Sequence, residues 1–213
     1  MTGWRGLAPA MAGPKAVDLA RAGLGAALGL ILTGLALRGA GFGWLIAPFG
    51  ASAVLVYAVP NSPLAQPWSV VVGNTVSALV ALALIAALPP AEWVVPLAVG
   101  FAIVAMLIMR ALHPPGGAVA LLVASGGTAG WTGTLMTVAA GSLALVAVGV
   151  LWNRAMGRAY PFRQPAEPGP HGCERHQVDV GDRERLRHPV RRVQLGARGQ
   201  PAEGLENPLR NRC

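Results

Sequence analysis

Arg110 to Leu122, RALHPPGGAVALL, sets an arginine, a histidine, two prolines and two glycines inside an apolar run. Proline donates no backbone hydrogen bond and disfavours helix in the residue before it, so His113-Pro114-Pro115 is expected to end the helix that carries Arg110. Gly116 and Gly117 then let the backbone turn and let another group approach closely. A helix restarting near Gly116 leaves its first N–H groups without intrahelical partners, and in lipid these must face protein, water or a ligand. A helix N-terminus carries about half a positive charge, so the ligand it suits is an anion. The same reasoning applies to Pro48-Phe49-Gly50-Ala51-Ser52, where Ser52 adds a hydroxyl.

The expected substrate-binding set is therefore Pro48, Gly50, Ala51, Ser52, Asn74, Arg110, His113, Pro114, Pro115, Gly116 and Gly117. In it the amides of 50–53 and 116–119 cradle the ion, Arg110 is a fixed cation, Asn74 an amide donor and His113 a carrier of protons. Each has a structural alternative. The Pro/Gly breaks also serve as packing kinks, Arg110 as an interfacial residue with its head in water, Asn74 as a bridge between helices and His113 as a local cap. Between Ala22 and Trp152 there are one His, no Cys and one carboxylate, Glu92. Metal hydrolysis, covalent acyl transfer and nucleotide hydrolysis all lack parts, so neither an enzyme nor a cofactor or metal is expected.

The elements that must hold these residues are apolar spans. Of 213 residues, 54% are hydrophobic and 12% charged, and between Ala22 and Trp152 the only charges are Arg38, Glu92 and Arg110. A soluble fold spreads charge over its surface, whereas this block reads as membrane. Full spans are expected at Val17–Leu37, Ser69–Leu88, Val94–Leu112 and Trp131–Trp152, with short, punctuated segments at Gly43–Val59 and His113–Ser125. The fold class is thus all-α, a polytopic membrane helix bundle of about six segments: four full spans plus two short or re-entrant ones. APFGASAVL lies over HPPGGAVAL, and Gly73-Asn74 falls opposite Gly141-Ser142, which implies two pseudo-repeats, each with a broken helix. Such paired interruptions are a sequence pointer to a transporter's binding site. Six crossings make the halves inverted repeats; four with re-entrant half-helices make them parallel, and six is preferred.

The net charge of +8 comes mostly from the two flanks, because residues 153–213 hold twelve Arg against seven Asp or Glu. Basic flanks around an apolar block match cytoplasmic ends of a membrane protein better than a nucleic-acid surface. The organisation expected is a cytoplasmic N-terminal segment at 1–16, a transmembrane domain at 17–152 and a polar, basic, largely disordered cytoplasmic tail at 153–213. The first span is expected to be retained instead of cleaved as a signal peptide. Cys173 and Cys213 lie in the tail and imply no disulfide framework, and His171, Cys173 and His176 match no strong zinc spacing. Trp44, Trp68, Trp131 and Trp152 fall at span ends, as in an aromatic belt. Gly25 and Gly29 form a GxxxG pair that marks close packing within the bundle or between copies of the chain, so a homo-oligomer joins lipid among the expected partners.

APFGASAVLVYAVPNSPLAQPWSVVVGN, then RALHPPGGAVALL, then LWNRAMGRAYP, in this order, resemble the HPP family of integral membrane proteins, whose name matches His113-Pro114-Pro115 here. The resemblance runs from about Asp18 to Pro161. It implies a compact multi-span module with transport activity, nitrite being implicated for some members. Two departures stand out: Asn74 occupies a position where members often have His, and the tail lacks the strand–helix alternation of the CBS-type domains that follow in some members. The expected function is a multi-pass transporter of a small, nitrite-like inorganic anion in the cell (inner) membrane, with both termini cytoplasmic. The alternatives are a non-transporting membrane scaffold or assembly factor, or a membrane sensor whose basic tail reads the lipid surface.

Overall fold

In the computed structural model, the described chain comprises residues 13–42, 46–127 and 129–162. Of the tail expected at 153–213, residues 163–213, with both cysteines, lie outside the described residues, as do the first twelve positions and Trp44. Among the described residues there are six α-helices: α1 Ala16–Gly39, α2 Ala47–Ala53, α3 Pro67–Ala87, α4 Val94–Ile108, α5 Pro114–Ala124 and α6 Gly130–Ala155. A π-helical turn at Val54–Ala58 prolongs α2, and a 3₁₀ turn at Pro63–Ala65 precedes α3. Helices α1, α3 and α6 are long and apolar enough to cross a membrane.

The helices alternate in direction. Five contacts gather at one end: Trp152 Nε1 donates to the Arg21 carbonyl at 3.2 Å, Arg158 to Asp18 at 3.1 Å, Trp68 Nε1 to the Met109 carbonyl at 3.1 Å, His113 Nδ1 to the Leu64 carbonyl at 2.8 Å and Tyr160 to the Ala65 carbonyl at 2.7 Å. The start of α1, the α2–α3 connection, the α4–α5 connection and the end of α6 therefore share one face. Both ends of the packed unit leave from it.

The side chains are distributed inside out relative to a soluble protein. Leu24, Leu28, Ile31, Leu32 and Leu35 on α1, and Phe101, Val104, Leu107 and Ile108 on α4, face outward, whereas Ser52, Asn74, Ser77, His113 and Ser142 are fully buried. In water such an exterior would be a continuous apolar patch; in lipid it is the solvated surface. The interior is closed by small residues, as expected where association depends on close packing. A Cβ on Gly25 would strike the Trp152 indole, and one on Gly29 the Tyr57 phenol. The GxxxG pair thus packs within the subunit.

Two expectations are corrected. The span foreseen at Val94–Leu112 stops at Ile108, so α4 has 15 residues, about 22 Å at 1.5 Å per residue against a hydrocarbon core of about 30 Å. The prolines do not end it. Ala111 N–H bonds the Met106 carbonyl at 2.8 Å and Arg110 N–H the Leu107 carbonyl at 3.0 Å, the paired bonds of a Schellman cap, with Arg110 at φ 53° in the left-handed position usually held by glycine. Pro114 and Pro115 instead open α5, where their missing N–H groups cost nothing. Second, the packed unit does not end at Trp152. Asn153 and Tyr160 are buried, and Phe162 N–H bonds Gln66 Oε1 at 2.7 Å. Burial, and secondarily the nearby Tyr57, raises the Tyr160 phenol's pKa above its ordinary value, so it remains a donor to the loop carbonyl.

A buried polar layer as candidate functional site

Four polar side chains from four chain segments meet in the apolar interior. Ser52 comes from α2, Asn74 from α3, His113 from the residue that caps α5, and Ser142 from α6; each is 0% exposed. Ser52 Oγ lies 2.9 Å from His113 Nε2. Asn74 Nδ2 donates to Ser52 Oγ at 3.3 Å and to Ser142 Oγ at 3.1 Å. A carbonyl can only accept, so the 2.8 Å contact to Leu64 puts a proton on His113 Nδ1, and in the neutral ring Nε2 accepts from the Ser52 hydroxyl.

The layer separates two apolar clusters. One contains Ala78, Leu82, Ala102, Val119 and Val138; the other contains Ala53, Val56, Tyr57, Val70 and Leu145. On α3, Asn74 lies between Val70 and Ala78, and on α6, Ser142 lies between Val138 and Leu145. Burial of a polar group is costly unless it is hydrogen-bonded. Even so, Asn74 Oδ1 is buried without a partner.

Glycines bring the backbones close enough to form the layer. A Cβ on Gly73 would lie 2.6 Å from the Ala111 carbonyl oxygen and 2.7 Å from His113 Cβ. One on Gly116 would lie 2.8 Å from Ser77 Oγ and 3.0 Å from the Gly73 carbonyl oxygen, and one on Gly141 would overlap the Phe49 ring. Next to the layer, the π turn is tied down from the end of α6: Asn153 Nδ2 donates to the Val56 carbonyl at 3.1 Å and Arg158 to the Tyr57 carbonyl at 3.0 Å.

Of the residues expected to bind substrate, Ser52, Asn74 and His113 come together here. Pro48, Pro115 and Gly116 are buried around them, Gly117 is half-buried, and Gly50, Ala51 and Pro114 are exposed. Arg110 is exposed on the α4 cap and outside the layer's hydrogen bonds. The amide cradle is corrected. Helix α2 begins at Ala47 and α5 at Pro114, so the amides of 51–53 and 118–119 fall inside their helices' own ladders. At the start of α5 two donors are absent because the residues are proline, and Gly116 N–H folds onto the His113 carbonyl at 2.8 Å. Side chains, not free amides, provide the polarity. Ser142 was not among the expected site residues, although its place opposite Asn74 in the two halves was the available signal.

No solved structure matches the chain. Two transmembrane proteins of Dictyostelium discoideum are similar to it: one is 39% identical over 126 residues, covering 55% of this chain and 40% of its own length, and the other 37% identical over 126 residues, covering 55% and 44%. The chain thus spans less than half the length of these curated relatives. The family described as HPP, transmembrane region, matches residues 11–161, which takes in all six helices and the four residues of the polar layer. This chain is a membrane protein of the HPP transmembrane family.

Proposed function

We propose that the protein is a transporter, not an enzyme, that carries a small inorganic anion of the nitrite type across the cell membrane through the buried polar layer. The observation that carries this reading is the meeting of Ser52, Asn74, His113 and Ser142, all fully buried, inside a bundle whose outer surface is apolar. A packing role alone does not call for four hydrogen-bonding side chains from four segments, one with an unpartnered lone pair.

The helix directions support two inverted three-helix repeats, α1–α3 and α4–α6, related about an axis near the Asn74–Ser142 contact. Gly73 of the first half packs against the His113 segment of the second, and Gly141 of the second half packs against Phe49 of the first. In this reading α1, α3 and α6 cross in full, the shorter α2, α4 and α5 complete the six alternating segments within the bundle, and α2 and α5 meet the layer from opposite faces. Transport sites in other folds lie at such interfaces. Lys15, Arg21, Arg110, Arg154 and Arg158 belong to the end from which both termini leave, and Arg38 to the other. By the positive-inside rule the terminal end is cytoplasmic.

Flux of nitrite into proteoliposomes holding the purified full chain tests the proposal. Asn74→Leu and Ser52→Val are expected to reduce protein-dependent flux at least about tenfold, the scale set by losing one well-placed hydrogen bond of roughly 1.5 kcal/mol. Arg110→Ala is expected to leave it within about twofold of wild type, since an exposed charge is worth little. No flux for nitrite, nitrate or formate with folded protein refutes the proposal and favours the scaffold reading.

A further inference from the structure

The protein leaves two hydrogen-bonding valences open in the polar layer. Asn74 Oδ1 has no partner, and Ser142 accepts from Asn74 while no carbonyl among the described residues takes its own proton. With a neutral His113, Nδ1–H is held by Leu64, Nε2 accepts from Ser52, Ser52 accepts from Asn74, and the Asn74 carbonyl oxygen is left buried and bare. An anion arriving there meets a lone pair.

Placing a proton on His113 Nε2 reverses the order. Nε2–H then donates to Ser52, so the Ser52 hydroxyl proton must go to another acceptor. Asn74 supplies one by turning its amide half a turn, which exchanges oxygen and nitrogen with almost no change of shape. Oδ1 now accepts from Ser52 and Ser142, and both Nδ2 hydrogens take the position the bare oxygen held. The same four residues thus present an acceptor when His113 is neutral and two donors when it is charged.

We infer that this site binds its anion only together with one proton, which His113 Nε2 carries, so that anion and proton cross as a neutral pair. This rests on the anion-transport reading above. The surroundings of His113 supply the reason for strict coupling. Facing it are Ser52 from α2, Leu64 from the turn before α3, and Gly73 from α3, with Asn74 one hydrogen bond further through Ser52, none of them charged. Nearby titratable groups are Tyr57 and Tyr160, whose hydroxyls are directed to the Leu145 and Ala65 carbonyls, and Arg110, exposed on the preceding turn. Of the described carboxylates, Asp18 is engaged by Arg158 at 3.1 Å and Arg21 at 3.7 Å at the terminal face, and Glu92 lies in the α3–α4 connection at the other. A lone imidazolium or a lone anion in this layer is an uncompensated buried charge, whereas each neutralises the other. Binding forms an Nε2–H bond as an O–H bond of hydronium breaks, and release returns that proton to water.

Proteoliposomes with nitrite as probe, with pH and membrane potential clamped separately and protein-free vesicles subtracted, provide the test. The expected result is protein-dependent accumulation that rises about tenfold for each unit of imposed pH difference and does not respond to membrane potential. Flux driven by potential and indifferent to the pH gradient overturns the coupling while leaving anion transport intact; absence of flux overturns both. His113→Gln keeps a neutral donor and acceptor and is expected to remove the pH-gradient drive; unchanged drive in this variant overturns the role of His113. Independently of any variant's folding, nitrite binding to detergent-solubilised wild type in weakly buffered solution is expected to take up one proton per bound anion, and binding with no uptake overturns the inference.

Discussion

Arg110 and His113 stand three residues apart and have different tasks. His113 is fully buried and ties the α5 cap to α2 and to the loop before α3. Arg110 closes α4 from outside in a left-handed backbone conformation that costs an L-residue about 1–2 kcal/mol. Its charge near a helix C-terminus returns about 0.3–1 kcal/mol, so conformation outweighs charge. Arg110→Gly is therefore expected to unfold at the same temperature as wild type or higher, and Arg110→Val, branched at Cβ, about 1–2 kcal/mol less stably than the glycine variant. Thermal unfolding of the three proteins in one detergent measures this, and a valine variant as stable as the glycine one contradicts it. At this scale Ser52, Asn74 and His113 were legible, because a polar residue among apolar ones has few reasons to be there. The proposed contact of Arg110 with the site was not borne by the geometry, because an arginine at a helix end reads alike whether it points into the bundle or out. Ser142 was obscured for a related reason: a serine on a small-residue face is ordinary until its partner across the bundle is known.

Six elements were foreseen and six helices are present among the described residues, but the boundaries moved where the backbone does something the side chains do not announce. A cap closed by Arg110 lacks the glycine that signals a helix end, so α4 was drawn four residues too long. The π turn at Val54–Ala58 depends on donors from Asn153 and Arg158, about a hundred positions away, and no local pattern reports it. Glycines sort into two kinds by what surrounds them. Gly73 faces a backbone carbonyl at 2.6 Å from an added Cβ, which cannot yield as a side chain can, whereas nothing lies within 4 Å at Gly50. Gly73→Ala is expected to destabilise by about 1–3 kcal/mol through overpacking and to displace His113. Gly50→Ala is expected to stabilise by about 0.5–1 kcal/mol through helix propensity. Unfolding midpoints of the pair decide it; equal effects would mean that the α3–α5 approach is looser than described.

At the scale of the whole molecule, the bundle is closed by the stretch after α6 and not by α6 alone. Tyr160 anchors the Pro63–Ala65 turn through the Ala65 carbonyl, the neighbouring Leu64 carbonyl holds His113, and Arg158 joins α1 to the π turn through Asp18 and the Tyr57 carbonyl. The polar layer is thus connected to the terminal face by one short loop, and that loop is positioned by residues the composition alone would assign to a tail. Truncation separates the two parts. A chain ending at Gln164 keeps every contact named here and is expected to retain wild-type stability and nitrite flux, whereas the sensor reading requires it to lose its response. A chain ending at Trp152 removes the Asn153, Arg158 and Tyr160 bonds. At about 1 kcal/mol for each net hydrogen bond, and more where an acceptor is left buried and bare, the loss is about 3 kcal/mol or greater. It is expected to appear as a lowered unfolding temperature together with loss of flux, because the Leu64 carbonyl that orients His113 is no longer held in place. If the shorter chain transports as well as the longer one, the link between the terminal stretch and the buried layer is wrong.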